Sequence, residues 1–120
     1  ELPSGSAEDS YSILPVLSGE QLNERIREAI VHHSARGNFA IRMGDWVYID
    51  GPNGADNAEP KPVLAALGVN DDNELAELYN LREDPKQTTN LYRKHPEKSV
   101  TLKELLDKYR TQSSSLPIPR

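Results

Sequence analysis

The chain has 120 residues, 36% of them hydrophobic, which suits one domain with one modest core. Its net charge of −5 argues against nucleic acid or an anionic membrane as a partner, and no apolar run approaches the roughly 18 residues that span a bilayer. Because it has no cysteine, it can form neither a disulfide nor a thiolate metal site, and it lacks a cysteine nucleophile.

The N-terminal part of the chain predicts a polar lead-in and two short helices. Residues 1–8 form the lead-in, which lacks a signal-peptide pattern, and the start at Glu1 predicts an excised segment or a processed product. In the apolar cluster 13–17, Pro15 suits the first position of a short helix. Gly19 suits the position that ends this helical turn in a left-handed conformation. Residues 20–28 predict a second helix with Leu22 and Ile26 on one face.

The next part predicts an antiparallel meander. Three segments have strand character and are bounded by turn residues: 30–34, 39–43 and 46–50. In the middle segment Phe39, Ile41 and Met43 share one face. Gly44 and Asp45 form a two-residue loop of the kind that favours a primed hairpin turn.

The C-terminal part predicts a fourth strand and the clearest helix of the chain. One helical turn is expected at 62–68, a strand at 75–81, a helix at 97–111 and a flexible tail at 112–120. Pro96 suits the first helical position, and apolar residues follow it at helical spacing, namely Leu102, Leu105, Leu106 and Tyr109. The sequence therefore predicts an α+β domain over 9–111, a twisted antiparallel sheet of about four strands packed by a C-terminal helix.

Four segments carry recognisable sequence signatures in a fixed order. They read DSYSILPVLSG at 9–19, HHSARGNFAIRMGDWVYI at 32–49, ELYNLREDPKQTTNLY at 77–92 and HPEKSVTLKELLDKYR at 95–110. In this order they resemble the C-terminal subdomain of the formylglycine-dependent sulfatases, an arylsulfatase family of the alkaline-phosphatase-like superfamily. Two positions depart from that pattern, because Val47 stands where the family usually has Lys, and Gln87 where it usually has Glu.

The resemblance implies a parent enzyme that hydrolyses sulfate esters to an alcohol and inorganic sulfate. Its formylglycine and calcium are expected in an N-terminal catalytic domain, and its location is expected to be secreted or periplasmic. The segment itself is expected to hold no catalytic residue and no metal, and to be inactive alone. Its expected partners are the parent's catalytic domain and, through the parent, a sulfated small molecule or glycan. It would pack on that domain and form one wall of the substrate cleft.

Three residues are candidates for the rim of the substrate pocket: His32, His33 and Arg42. The two histidines are adjacent in a predicted strand, so they point to opposite faces and cannot readily bind one ion. Each is either a rim residue or a sheet-packed or surface histidine. Arg42, together with Arg36, either binds a sulfate or carboxylate bidentately or belongs to a solvated strand face.

The 77–92 segment also has a physical interpretation independent of the family. Asp84 can cap the turn that Pro85 opens, and Asn90 can hydrogen-bond nearby backbone while Leu91 returns to the core. The pattern predicts a structural turn rather than a reaction site. Three aromatic residues either form a platform that binds a sugar or build the hydrophobic core: Trp46, Tyr48 and Tyr79.

Two other functions remain open at this point. The chain could be an independent module that binds a protein or sugar through an open sheet face, or the same subdomain of a related phosphate ester hydrolase. An exposed apolar patch is expected if the chain packs on a catalytic domain, either at Phe39, Ile41 or Trp46, or at the cluster 13–17.

Overall fold

The computed structural model describes residues 11–20, 25–35, 37–52, 61–66 and 74–112. Within them the elements run in the order α1 Leu14–Leu17, β1 Ile30–His33, β2 Phe39–Met43, β3 Trp46–Ile49, α2 Lys61–Ala66, β4 Glu77–Asn80 and α3 Pro96–Thr111. No helix among the described residues combines the length and the apolar character needed to cross a membrane.

The four strands form one sheet in sequence order, and every neighbouring pair is antiparallel. This confirms the predicted α+β class. Met43 pairs with Trp46 across the two-residue loop, and Gly44 has a φ of +64°. A glycine with positive φ at the first loop position is typical of a primed turn, whose twist matches that of the flanking strands. The predicted hairpin is therefore confirmed.

The hydrophobic core lies between the sheet and α3. Ile41, Tyr48 and Leu78 occupy neighbouring positions on the same sheet face, because Ile41 pairs with Tyr48 and Tyr48 pairs with Leu78. They pack with Leu102 and Leu106 of α3, and all five side chains are essentially inaccessible to solvent. Burying each leucine contributes on the order of 1.5–3 kcal/mol, so this contact fixes the helix against the sheet.

The opposite face of the sheet is also buried at its centre. Ala40, Val47 and Tyr79 each expose 5% of their surface. The Tyr79 hydroxyl donates a hydrogen bond to the buried Glu77 carboxylate two residues away. The burial of Val47 explains why an apolar, β-branched residue suits this position in place of the family's usual lysine.

Some predicted elements differ from those observed. The helix predicted at 20–28 is wrong where it is described, because residues 25–28 form no helix. Like charges four residues apart oppose helix formation, and Glu20, Glu24 and Glu28 have that spacing. α1 begins one residue before Pro15, and Gly19 follows it with a φ of +78°.

Other predictions lie partly or wholly outside the described residues. They concern the lead-in 1–8, Leu22, Arg36, the loop residues 53–60 and the positions that follow α2. The tail predicted at 112–120 is described only at Gln112.

Candidate functional site

The 84–90 turn is held by two polar side chains that bond to backbone. Asp84 Oδ2 accepts hydrogen bonds from the backbone N–H groups of Thr88 at 2.7 Å and Thr89 at 2.8 Å. Burial raises the pKa of Asp84, but the hydrogen bonds from Thr89 and Thr88 outweigh it and lower the pKa below its ordinary value. Gln87 has a φ of +55°, so the turn also includes a left-handed residue.

Asn90 completes this turn by bridging two parts of the fold. Its Oδ1 accepts hydrogen bonds from the backbone N–H groups of Leu78 and Tyr92, both at 3.0 Å. Its amide nitrogen donates to the carbonyl oxygen of Ala76 at 3.2 Å. Because both ends of the amide bond to backbone, these contacts agree with a structural role for the 77–92 segment.

The histidine candidates lie on β1, which is an edge strand of the sheet. His33 is on the α3 face, where its ring lies 5.7 Å from that of Phe39, and its Nδ1 is 2.9 Å from the Ser34 carbonyl oxygen. His32 lies on the opposite face beside Ala40. Both are exposed, and the structure does not bring them together.

Arg42 lines a cleft to which neither histidine contributes. The cleft has a volume of about 540 Å³ and is formed by Ile13, which directly precedes α1, by the segment 25–30, by Arg42 and by the β2–β3 turn. Its walls combine apolar and charged side chains, and among them are Ile13, Arg25, Ile26, Ile30 and Arg42. This cleft is the candidate site.

Two arginines contact the same glycine at the edge of the cleft. Arg42 Nε donates a hydrogen bond to the carbonyl oxygen of Gly44 at 3.0 Å. Arg25 also lies against this residue, with Nη1 only 2.8 Å and Nη2 3.3 Å from the position that a Cβ on Gly44 would take. Among the described residues, no carboxylate forms an ion pair with either guanidinium. We call these two residues the Arg25–Arg42 pair.

The other long charged side chains of the cleft have partners elsewhere. The Arg27 guanidinium lies 4.7 Å from the centre of the Tyr11 ring, a cation–π distance. Burial raises the pKa of Tyr109, and the nearby Glu28 carboxylate raises it further. Glu28 therefore lies close to α3. Arg25 and Gly44 had not been identified from the sequence, because no local pattern links them.

The aromatic platform considered from the sequence does not exist. Tyr48 and Tyr79 are buried on opposite faces of the sheet, since Tyr48 pairs with Leu78 and Tyr79 with Val47. Trp46 is half-buried, and its ring meets that of His95 edge-on at 5.3 Å. Burial and the neighbouring Asp50 raise the pKa of Tyr48 strongly.

In the described parts of the chain, no three histidine, aspartate or glutamate residues are grouped so that they could hold a metal ion.

Comparison with known proteins gives one informative result. No protein-family model and no curated protein matches the chain. Among solved structures, a Bacteroides thetaiotaomicron sulfatase, described with the metabolism of multiple glycosaminoglycans by a versatile core genetic locus, is similar over 93% of this chain, with 29% identity and a TM-score of 0.66. The chain spans only 22% of that protein. The fold of this chain is therefore sulfatase-related.

Proposed function

We propose that the chain is the C-terminal, non-catalytic subdomain of a formylglycine-dependent sulfatase, which hydrolyses sulfate esters to an alcohol and inorganic sulfate. The observation that carries this proposal is the similarity to a sulfatase at 29% identity over 93% of the chain. The nucleophile and calcium would belong to the catalytic domain, as the family resemblance implies.

The apolar surface of α1 supports packing on such a domain. No residue of this short helix is buried, and Leu14 and Leu17 expose 68% and 74% of their surface. Ile13 and Val16 beside them are also more than half exposed. Covering a leucine contributes on the order of 1.5–3 kcal/mol, so a cluster of four apolar residues favours a protein partner. We infer that the catalytic domain covers α1.

Only part of the expected apolar patch supports this docking. Two patches were predicted as alternatives, and the first, the cluster 13–17, is exposed to solvent. The other alternative is wrong for Ile41, which α3 buries completely, while Phe39 and Trp46 are half-buried. We therefore propose α1 as the docking surface, rather than the sheet face that α3 covers.

The position of the cleft supports a role as one wall of the substrate-binding cleft. It adjoins α1 through Ile13, so a domain that covers α1 would also lie beside Arg42. His32 lies on the same sheet face as Arg42, because Ile30 pairs with Arg42 and His32 with Ala40. His33 lies on the other face and is the weaker rim candidate.

A chimeric enzyme tests the docking. The corresponding segment of the B. thetaiotaomicron sulfatase is replaced by this chain, and thermal unfolding and hydrolysis of a sulfate ester are measured. We expect one cooperative transition and retained hydrolysis. The double variant Leu14→Asp, Leu17→Asp should lower the transition temperature, whereas Ser12→Asp, an exposed polar control beside α1, should not.

Two results would contradict the proposal. One is a pair of independent unfolding transitions that the Leu14 and Leu17 substitutions leave unchanged, because the chain would then not be docked. The other is release of 4-nitrophenol from 4-nitrophenyl sulfate by this chain alone above the rate in buffer, because the chain would then contain its own catalytic centre.

A further inference from the structure

We propose that the Arg25–Arg42 pair binds an oxyanion, sulfate or carboxylate, carried on a small organic ring that lies in the adjoining cleft. The inference does not rest on the proposed function, because the site consists of residues of this chain and its test requires no sulfatase activity.

The free hydrogen-bond donors of the two guanidinium groups carry the proposal. A guanidinium has five N–H donors, and Arg42 uses its Nε–H on the Gly44 carbonyl oxygen. This bond orients the rest of the group at the turn. Within the part of the chain that the structure describes, Arg25 makes no hydrogen bond or ion pair, so none of its donors is used there. Two positive charges beside one residue repel each other, and a bound anion would relieve that repulsion.

Gly44 makes this arrangement possible in two ways. Its φ of +64° gives the turn that brings its carbonyl oxygen to Arg42. Its missing Cβ leaves the space that Arg25 occupies, since Nη1 would lie 2.8 Å from a Cβ there. A side chain at this position would displace the guanidinium.

The neighbouring surface favours an organic ligand over a free inorganic anion. Ile13, Ile26 and Ile30 line the same cleft and offer an apolar surface to a ring. The volume of about 540 Å³ is large enough for one ring with its substituent. Asp45 also lines the cleft and weakens anion binding. Arg27 lies over the Tyr11 ring, and Glu28, a second carboxylate of the cleft, lies near Tyr109.

Titration with phenyl sulfate, benzoate and sodium sulfate tests the site, at constant ionic strength maintained with sodium chloride. The readout is the NMR signals of the arginine Nε–Hε groups in the full chain. We expect saturable shifts at Arg25 and Arg42 with the two ring compounds, and weaker binding of sodium sulfate. Whichever of phenyl sulfate and benzoate binds more tightly identifies the preferred anionic group, sulfate or carboxylate.

Four variants sharpen the result. Arg25→Gln and Arg42→Gln should each weaken phenyl sulfate binding by about tenfold, because each removes charge-assisted hydrogen bonds. Arg82→Gln, an exposed arginine outside the cleft, is the matched control and should change nothing. Asp45→Asn should tighten binding by about twofold, because it removes the opposing charge.

Each remaining outcome overturns the proposal. Shifts at Arg25 and Arg42 that rise linearly and match those at Arg82 would indicate only general ion screening. Sodium sulfate binding as tightly as phenyl sulfate would exclude a role for the apolar surface. Unchanged affinity in Arg25→Gln, with the thermal transition also unchanged, would remove Arg25 from the site.

Discussion

The side chain of Asn90 holds the backbone of Leu78, with Oδ1 accepting the Leu78 N–H at 3.0 Å. The Leu91 N–H also donates to the Leu78 carbonyl oxygen at 2.8 Å. The chain leading into α3 is thereby fastened to β4 beside the core. Because Leu78 is fully buried, this link determines where α3 can pack.

Asn90→Ala should lower the free energy of unfolding by about 2–4 kcal/mol, because buried backbone groups of Leu78 and Ala76 lose their partners. Urea unfolding followed by fluorescence of Trp46, the only tryptophan, measures this. Asn80→Ala is the matched control, since the side chain of Asn80 accepts a hydrogen bond from the exposed N–H of Arg82. Equal losses in the two variants would contradict the bridging role of Asn90.

Leu106→Ala should lower the free energy of unfolding by about 2–5 kcal/mol, because it leaves a cavity between α3 and the sheet. Leu106 is completely buried, whereas Val100 on the same helix exposes 56% of its surface. Val100→Ala should therefore change stability by less than about 0.5 kcal/mol. Chemical denaturation of both variants measures the difference, and similar values would mean that α3 does not pack as described.

The stability contributed by Asp84 should depend on pH. Its folded-state pKa lies below the ordinary value of 3.8, so the ionised form stabilises the fold. This contribution is present above the unfolded-state pKa and is lost as pH falls through the folded-state pKa. Asp84→Asn should therefore destabilise the protein at pH 7, and the difference from the native chain should shrink below about pH 4.

Circular dichroism during urea unfolding at pH 7 and pH 3 measures this change. Asp107→Asn serves as the control, because Asp107 is an exposed carboxylate on α3 whose partner is Lys103. If Asp84→Asn lowered the free energy of unfolding by the same amount at both pH values, the charge of Asp84 would not contribute to stability.

Gly44→Ala and Gly37→Ala should destabilise the protein by similar amounts. Both residues have positive φ, so both substitutions incur backbone strain of about 1–2 kcal/mol. At Gly44 the added Cβ would also meet the Arg25 guanidinium, whereas nothing lies within 4 Å at Gly37. Because that guanidinium is the end of a flexible side chain, it can move aside at little cost. Thermal unfolding of the two variants gives the difference.

A double-mutant cycle tests whether the Arg25 side chain moves aside at little cost. In an Arg25→Ala background, the destabilisation caused by Gly44→Ala should be unchanged. A smaller destabilisation in that background would contradict this, because it would show that the guanidinium resists displacement from Gly44.

The strands and α3 could be predicted because their signals are local. Alternation over 39–43 and the spacing of Leu102, Leu105 and Leu106 depend only on the period of each element. Pro96 begins α3 as predicted, since its fixed φ and missing N–H suit the first helical turn. The helix predicted at 20–28 was wrong in residues 25–28, where a weak apolar pattern competed with repelling carboxylates.

The sequence by itself determined the hairpin, the C-terminal helix and the role of Asp84 in the 84–90 turn. Each of these follows from neighbouring residues. Only the tertiary structure decided that Ile41 is buried and the cluster 13–17 exposed, that Tyr48 and Tyr79 face apart, and that Arg25 joins Arg42 at Gly44. Strand register and the path of segment 25–30 set these relationships. They depend on packing between distant residues, which a local periodicity does not encode.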